Sequence, residues 1–457
     1  MCALMVSFEV DDKESTTGNG RFLDEIEGID CGNYHVDPPP HDRSYFSSQL
    51  KSVHNYFQSV SYDQFGIDLN ESQIYPLTDT SYEVSQEMSY YYPYNQEDIA
   101  EDRLVELFSE SIEKAYLNDG VDYSNYDLII VFHAGIGQDF SLPFLDPTPE
   151  DIPSTFIDPE MIKSSTGEDA ITIGTNAIDK GIILPETQNH LNYDISNSMF
   201  SNESDPCDYQ YGLTGTFALM IGFAIGLPPL WNIETGESGV GIFGLMDQGS
   251  NNGRGIIPAP PTAWSRIYAG WENSRIIHEN NLCSLSTRSE NEVIRVNINS
   301  DEYFLIENRD NSVKNEISID SLQYLMWEES GRDSITPYIQ ILLDSTLLTK
   351  DFNNVIIGSD NYDIGLPGSG LLIWHIDESI IRSKLNTFSI NANPSQYGVD
   401  LEEADGAQDI GFQSIIPFND PSSGYFGDIW FRGNGEYYRS NPSYNGQSLE
   451  FGLNTYP

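Results

Sequence analysis

Seven histidines, four cysteines and a large surplus of carboxylates are the groups with chemistry to offer in this chain. The histidines are His35, His41, His54, His133, His190, His278 and His375. No two have the three-to-five spacing that lets one local segment grip a metal with two imidazoles. His133 and His375 close strand-like runs and read either as core histidines or as parts of a substrate cleft. Cys2, Cys31, Cys207 and Cys283 include no C-x-x-C, so a zinc knuckle is not expected. Cys31 and Cys207 are able to pair if the protein is exported. Gly-x-Ser-x-Gly is absent. Gly365-Leu-Pro-Gly-Ser-Gly370 reads as a turn, since neither a lysine nor a helix signal follows it. Carboxylate remains: Asp400, Glu402, Glu403 and Asp405 crowd ahead of Gly406, and Asp360 and Asp363 flank an Asn-Tyr turn. Hard oxygen donors in loops suit calcium, although no EF-hand pattern is present. The alternative is a solvated acidic loop.

The most apolar run is Gly212–Gly226, GLTGTFALMIGFAIG. Leu213, Phe217, Met220, Ile221 and Ala224 recur at helical spacing, and both faces are apolar, which predicts a buried helix. It is shorter than the roughly 20 residues needed to cross a bilayer. Gly226 and Pro228-Pro229 stop it. Leu4–Val10 reads as a first core strand. A helix is expected from Asp42 or Ser44 to about Ser59, and a second over Asp98–Leu117. Asp127–Phe132 is a continuous apolar run, suited to a strand covered on both faces. Asp146–Thr166 is rich in proline and acid and reads as a surface excursion. Ala170–Ile173 suggests a short strand and Pro261–Gly270 a helix. Beyond Arg275 the texture changes to short strands at Glu292–Ile298, Glu302–Glu307, Tyr338–Leu343 and Gly370–Ile376. The expected class is α+β: a mixed α/β domain over residues 1–275, then a β-rich, sandwich-like domain over 276–457, with a soft boundary near 275–290.

Acidic residues number 71 against 21 basic ones, a net charge of -50, so a nucleic-acid partner would be repelled. At 39% hydrophobic residues the chain is globular rather than disordered. Met1 is followed at once by a strand-like segment, with no basic and apolar leader ahead of it. A missing export segment is expected, and with it a secreted or cell-surface location.

Several segments, in consistent order over nearly the whole chain, resemble the secreted immune-inhibitor-A-like zinc metalloproteases. They are His133-Ala-Gly-Ile-Gly-Gln138, the central helix with Gly226-Leu-Pro228, Gly239-Val-Gly241 with Leu245-Met-Asp247, and Trp264 to Trp271. Tyr303–Arg309, Gly370–Asp377 and Glu403-Ala-Asp-Gly406 complete the series. The resemblance implies a zincin-like first domain with zinc held by His-Glu-x-x-His and a later aspartate. Laid on this chain, the two histidine positions are Leu219 and Phe223, the glutamate is Met220 and the aspartate is Pro229. Gly222, Gly226, Leu227 and Pro228 are kept, and the methionine beneath the metal corresponds to Met246. Zinc needs about three imidazole, carboxylate or thiolate donors, which leucine, phenylalanine and proline lack. Met220 cannot take a proton from water. Burying Leu219 and Phe223 would stabilise by about 1.5–3 kcal/mol each, filling the site with hydrocarbon.

No zinc is therefore expected as a cofactor, and the expected function is that of a secreted pseudoprotease that binds or scaffolds a protein or peptide. The alternatives are an active endopeptidase with donors assembled from afar, such as His133 and His375, or a calcium-stabilised adhesive protein.

Overall fold

The computed structural model describes residues 1–26, 28–140, 146–190, 206–278, 282–314, 317–412 and 422–456. The protein is mixed α+β. Its contacts divide it into two compact units: Met1–Asn55, Gly66–Ala224 and Thr336–Gly358 form the first, and Tyr56–Phe65, Ile225–Ile335 and Ser359–Pro457 the second. Residue 275 thus lies inside the second unit.

The first unit is built on a six-stranded sheet. Its strands are Cys2–Ser7 (β1), Gln73–Tyr75 (β2), Tyr82–Glu83 (β3), Ile129–Ile136 (β4), Thr155–Ile157 (β5) and Gly181–Thr187 (β6). The order is β2-β1-β4-β6-β5, with β3 also on β1. All pairings are parallel except β5 with β6. Strands β1, β4 and β6 are buried at every residue, as expected of parallel strands covered on both faces.

Side chains alternate between those faces. Leu4, Val6, Val131 and Ile183 meet Leu104, Phe108 and Ile112 of helix Glu97–Asp119. On the opposite face Phe132 stacks on Phe46 (4.5 Å) of helix Arg43–Val60 and meets Phe217 edge-on (5.5 Å) from helix Thr214–Ala224. These helices, in chain order, are α1 (Arg43–Val60), α2 (Glu97–Asp119) and α3 (Thr214–Ala224). Gly181 is required where α2 crosses the sheet: a Cβ there would lie 2.1 Å from the Phe108 ring.

Two expectations for this unit are corrected. Asp146–Thr166 is not a surface excursion. It supplies β5 and a helix over Pro159–Thr166, with Asp151, Ile152, Ile157 and Ile162 buried. Asp158 caps that helix ahead of Pro159, so the acid and proline that suggested a loop mark a helix start. Tyr338–Leu343 is a short helix, not a strand. Its buried residues include Ile339, Leu342 and Leu343, a helical spacing, and Asp208 Oδ1 accepts the first-turn amide of Ile339 at 2.8 Å.

In the second unit Ser274–Ile276 (β7), Val293–Asn297 (β8), Glu302–Arg309 (β9), Gly370–Asp377 (β10) and Val399–Leu401 (β11) form one sheet in the order β11-β10-β9-β8-β7. Phe304, Ile306, Leu371 and Ile373 pack with Trp430, Tyr437 and Phe451 on one face. Helix Ala263–Tyr268 (α4) packs against β9 and β10. A helix over Ile319–Glu329, capped by Ser318, was not expected in this stretch. Among the described residues of this unit no second sheet faces the first, so the sandwich is not seen.

Candidate functional site

The segment that should carry the chemistry is α3. Its entry is fixed by buried polar groups: Asp37 Oδ2 accepts the Leu213 amide at 2.9 Å, and Thr214 Oγ1 bonds Ser52 Oγ at 2.9 Å. Lys180 Nζ donates to the last carbonyl, Ala224 O, at 3.2 Å. The chain then leaves the helix through Gly226, at φ +91°, where a Cβ would be strained. The helix packs on β5 and β6.

Met220 is buried, as are Phe217, Ala218, Ile221 and Gly222. Leu219 and Phe223 are not closed off. Both are half-buried, and being four residues apart they share the one partly exposed stripe of the helix. Phe223 stacks on Phe156 of β5 at 6.2 Å, and Phe156 is half-buried too. The picture of a sealed plug is therefore replaced by an apolar strip. Its cause is the helix phase: Phe217, Met220 and Ile221 take the inner face and leave residues 219 and 223 beside it.

Pro229 and Met246 belong to the second unit, and both are buried. Leu230 N donates to Met246 O at 2.9 Å, tying the segment after the double proline to the methionine loop. That loop is held by Asp247, whose Oδ2 accepts the amides of Gly239, Val240 and Gly241 at 2.7–2.8 Å.

His133 is fully buried in β4, where its Nδ1 bonds Ala134 O at 3.0 Å and its ring meets Phe8 edge-on. Burial pushes its pKa down to about 4, so it is a neutral core imidazole at ordinary pH. His375 is half-buried on β10 with Nε2 3.5 Å from Glu302. Cys31 and Cys207 form a disulfide, with Cα atoms 5.7 Å apart.

Of the four acids before Gly406, the structure brings two together. Glu403 and Asp405 converge with Asp428, one carboxylate oxygen of each lying within 4.8 Å of the others. Asp400 and Glu402 are outside this group: Asp400 lies in the strand Val399–Leu401, and the chain carries Glu403 and Asp405 into a turn closed by the Gly406 amide on the Glu403 carbonyl. Asp360 and Asp363 do not form a calcium loop either: Asp363 Oδ1 is paired with Arg309 Nε at 2.6 Å.

Two buried clusters were missed by the sequence reading. In the first unit His41 Nδ1 meets Glu186 Oε2 at 2.7 Å with both side chains fully buried. Burial works to lower the imidazole pKa, but the bond and charge of Glu186 outweigh it and leave it raised. Glu186 also accepts the amides of Leu23 and Gly135, and His41 Nε2 bonds Asp37 O, so the pair is saturated and structural.

In the second unit Arg266 Nη2 bonds Glu307 Oε2 at 2.9 Å, Trp374 Nε1 donates to Glu307 Oε1 at 2.8 Å, and Arg309 lies 3.5 Å from Glu307. Glu307 and Arg309 sit on the inward-facing half of β9, a position that strand alternation reveals once the strand is extended to Arg309. A cavity of about 230 Å3 borders this cluster, with walls of both charges. For Asp428 no local signal existed, since it lies outside the acidic run.

No protein-family model, curated protein or solved structure matches the chain.

Proposed function

We propose that this protein is a catalytically inactive, metalloprotease-like protein with a zincin-like first unit, acting outside the cell by binding a protein or peptide. The observation that carries the reading is the content of α3: Leu219, Met220 and Phe223 occupy the positions where the resemblance asks for two imidazoles and a general base. No side chain of that set offers zinc an imidazole, carboxylate or thiolate, and none accepts a proton from water.

The retained frame supports a binding role. The half-buried strip of Leu219, Phe223 and Phe156 lies beside β5, which ends the sheet and pairs only with β6 among the described residues. An edge strand next to an apolar strip suits an extended peptide, which gains main-chain bonds from the strand and specificity from the strip. The Cys31–Cys207 disulfide supports an oxidising location. Among the described residues no helix is long and apolar enough to cross a membrane.

The test is elemental analysis of the purified protein together with casein cleavage, with and without chelator. The expected result is substoichiometric zinc and no chelator-sensitive cleavage; stoichiometric zinc with cleavage that chelator abolishes overturns the reading.

A further inference from the structure

The acidic group in the second unit is built rather than gathered by chance on a surface. Glu403 Oε2 and Oε1 accept the amides of Asp409 (3.0 Å) and Ile410 (3.1 Å), which wraps the loop around that carboxylate. Asp405 Oδ1 accepts the Ala407 amide at 2.9 Å, and its Oδ2 accepts the Tyr425 hydroxyl at 2.7 Å. Asp428 Oδ2 accepts the Tyr425 amide at 2.7 Å, and the Asp428 carbonyl accepts the Ala404 amide at 3.0 Å. The loop turns at Gly406, at φ +77°.

Donors behind them thus hold all three carboxylates in place, with one oxygen of each within 4.8 Å of the others. Asp428 is fully buried, and its Oδ1 has no hydrogen-bond partner. Among the described residues no lysine, arginine or histidine forms an ion pair with Glu403, Asp405 or Asp428. A buried carboxylate with an unsatisfied oxygen, facing two more acids, is strongly unfavourable unless a proton or a cation is added. Burial first, and then the neighbouring acid charges, push Glu403 up to about 9 and Asp428 up to about 7.

We propose that Glu403, Asp405 and Asp428 form a calcium site that fastens the loop after β11 to the Tyr425–Asp428 turn. The donor set decides the ion. It is all oxygen, with neither imidazole nor thiolate, which favours hard cations over zinc. Three converging carboxylates suit calcium, which takes about 6–8 oxygen ligands in flexible loops, over magnesium, which keeps several waters and usually binds through one or two carboxylates. Asp405 is half-buried, giving the ion a route in and room for water ligands. The inference rests on the second unit alone and survives if α3 proves to be active.

The test uses the full chain, freed of metal by chelator. Calcium chloride is expected to raise the Tm of the wild type by several degrees, and an equal concentration of magnesium to do much less. Asp428→Asn removes a charge without changing shape. It is expected to melt above the wild type in chelator, where repulsion is relieved, and to lose the calcium response, so the order of the two proteins reverses when calcium is added. Terbium should show tyrosine-sensitised emission, with Tyr425 against the site, displaced by calcium and weakened at least tenfold in affinity by Asp428→Asn. If that variant fails to fold, Asp405→Asn at the half-buried position carries the test in the same way. A wild-type Tm unmoved by calcium, an equal shift with magnesium, or a calcium response retained in the variants overturns the proposal.

Discussion

The second unit holds two buried clusters of charge that solve the same physical problem differently. Around β9, Arg266 and Arg309 interleave with Glu307 and Asp363, each side chain no more than 6% exposed, and the charges answer one another. Burial alone would raise the Glu307 pKa, but the two guanidiniums outweigh it and hold the carboxyl below its usual range. Around Asp428 three acids meet with no cationic side chain paired to them among the described residues, and the pKa values move the other way. Depth of burial does not separate the two, since Glu307 and Glu403 are 3% and 2% exposed. What separates them is whether the counter-charge is encoded in the chain. The first cluster is a finished structural element; the second, on the proposal above, takes its counter-charge from solution.

The largest effect should come from unbalancing the finished cluster. Glu307→Ala leaves Arg266 and Arg309 facing each other without their shared partner and strips Trp374 Nε1 and the Ala263 amide of an acceptor. A loss of about 3–5 kcal/mol is expected, the usual cost of removing one partner of a buried pair. Chemical denaturation followed by tryptophan emission measures it. A loss below about 1 kcal/mol, typical of exposed pairs, would show that solvent already screens this cluster and would erase the contrast with the acidic group.

Between these extremes stands Asp151 of the first unit, one buried acid with no counter-ion among the described residues and only a weak push from Asp146. Thr17 gives it an amide bond at 2.7 Å and a hydroxyl bond at 3.0 Å. Burial still raises its pKa from the ordinary 3.8 to about 7. Between those values the folded state holds a proton that the unfolded chain releases, so Asp151 makes stability fall as pH rises from about 4 to 7. Glu307 has the opposite sign: its contribution is present above the usual glutamate range and is lost as pH drops through the depressed folded value. Asp151→Asn is expected to flatten the decline of the first unit by roughly 1–3 kcal/mol across that window. Melting curves of both proteins at pH 4, 5.5 and 7 test this, and parallel curves would refute it.

How much of this was legible follows from the range of each interaction. The parallel strands at Cys2 and Ile129 and the helices α1–α4 announce themselves locally, through apolar runs and helical spacing. Tyr338–Leu343 misled because Tyr-Ile-Gln-Ile also fits a strand's alternation, and only Asp208, distant in sequence, satisfies the helix start. Asp151 was hidden among prolines and acids, since composition does not report burial. Glu403 and Asp405 were visible as a local acidic run, but their partner Asp428 becomes a neighbour only through the fold. Asp400 and Glu402, although closer in sequence, are left out because the strand ends at Leu401 and the chain turns after Glu403.

The smallest effect separates a strip from a plug on α3. Phe217 is fully buried against Phe132, and Phe217→Ala should cost about 3–5 kcal/mol, the range for core phenylalanine. Phe223 is half-buried and stacks on the half-buried Phe156, so Phe223→Ala should cost only about 1–2 kcal/mol. The ratio matters more than either value. Two substitutions of one residue type on one helix share their change in propensity, so the difference reports packing alone. If Phe223→Ala costs as much as Phe217→Ala, position 223 is core, the place where the resemblance would put a metal ligand is sealed, and a peptide has no apolar strip to grip. If it is cheap, the side chain is held at the surface for something other than stability. In that case Phe223→Ala should weaken capture of an extended apolar peptide while leaving the fold intact.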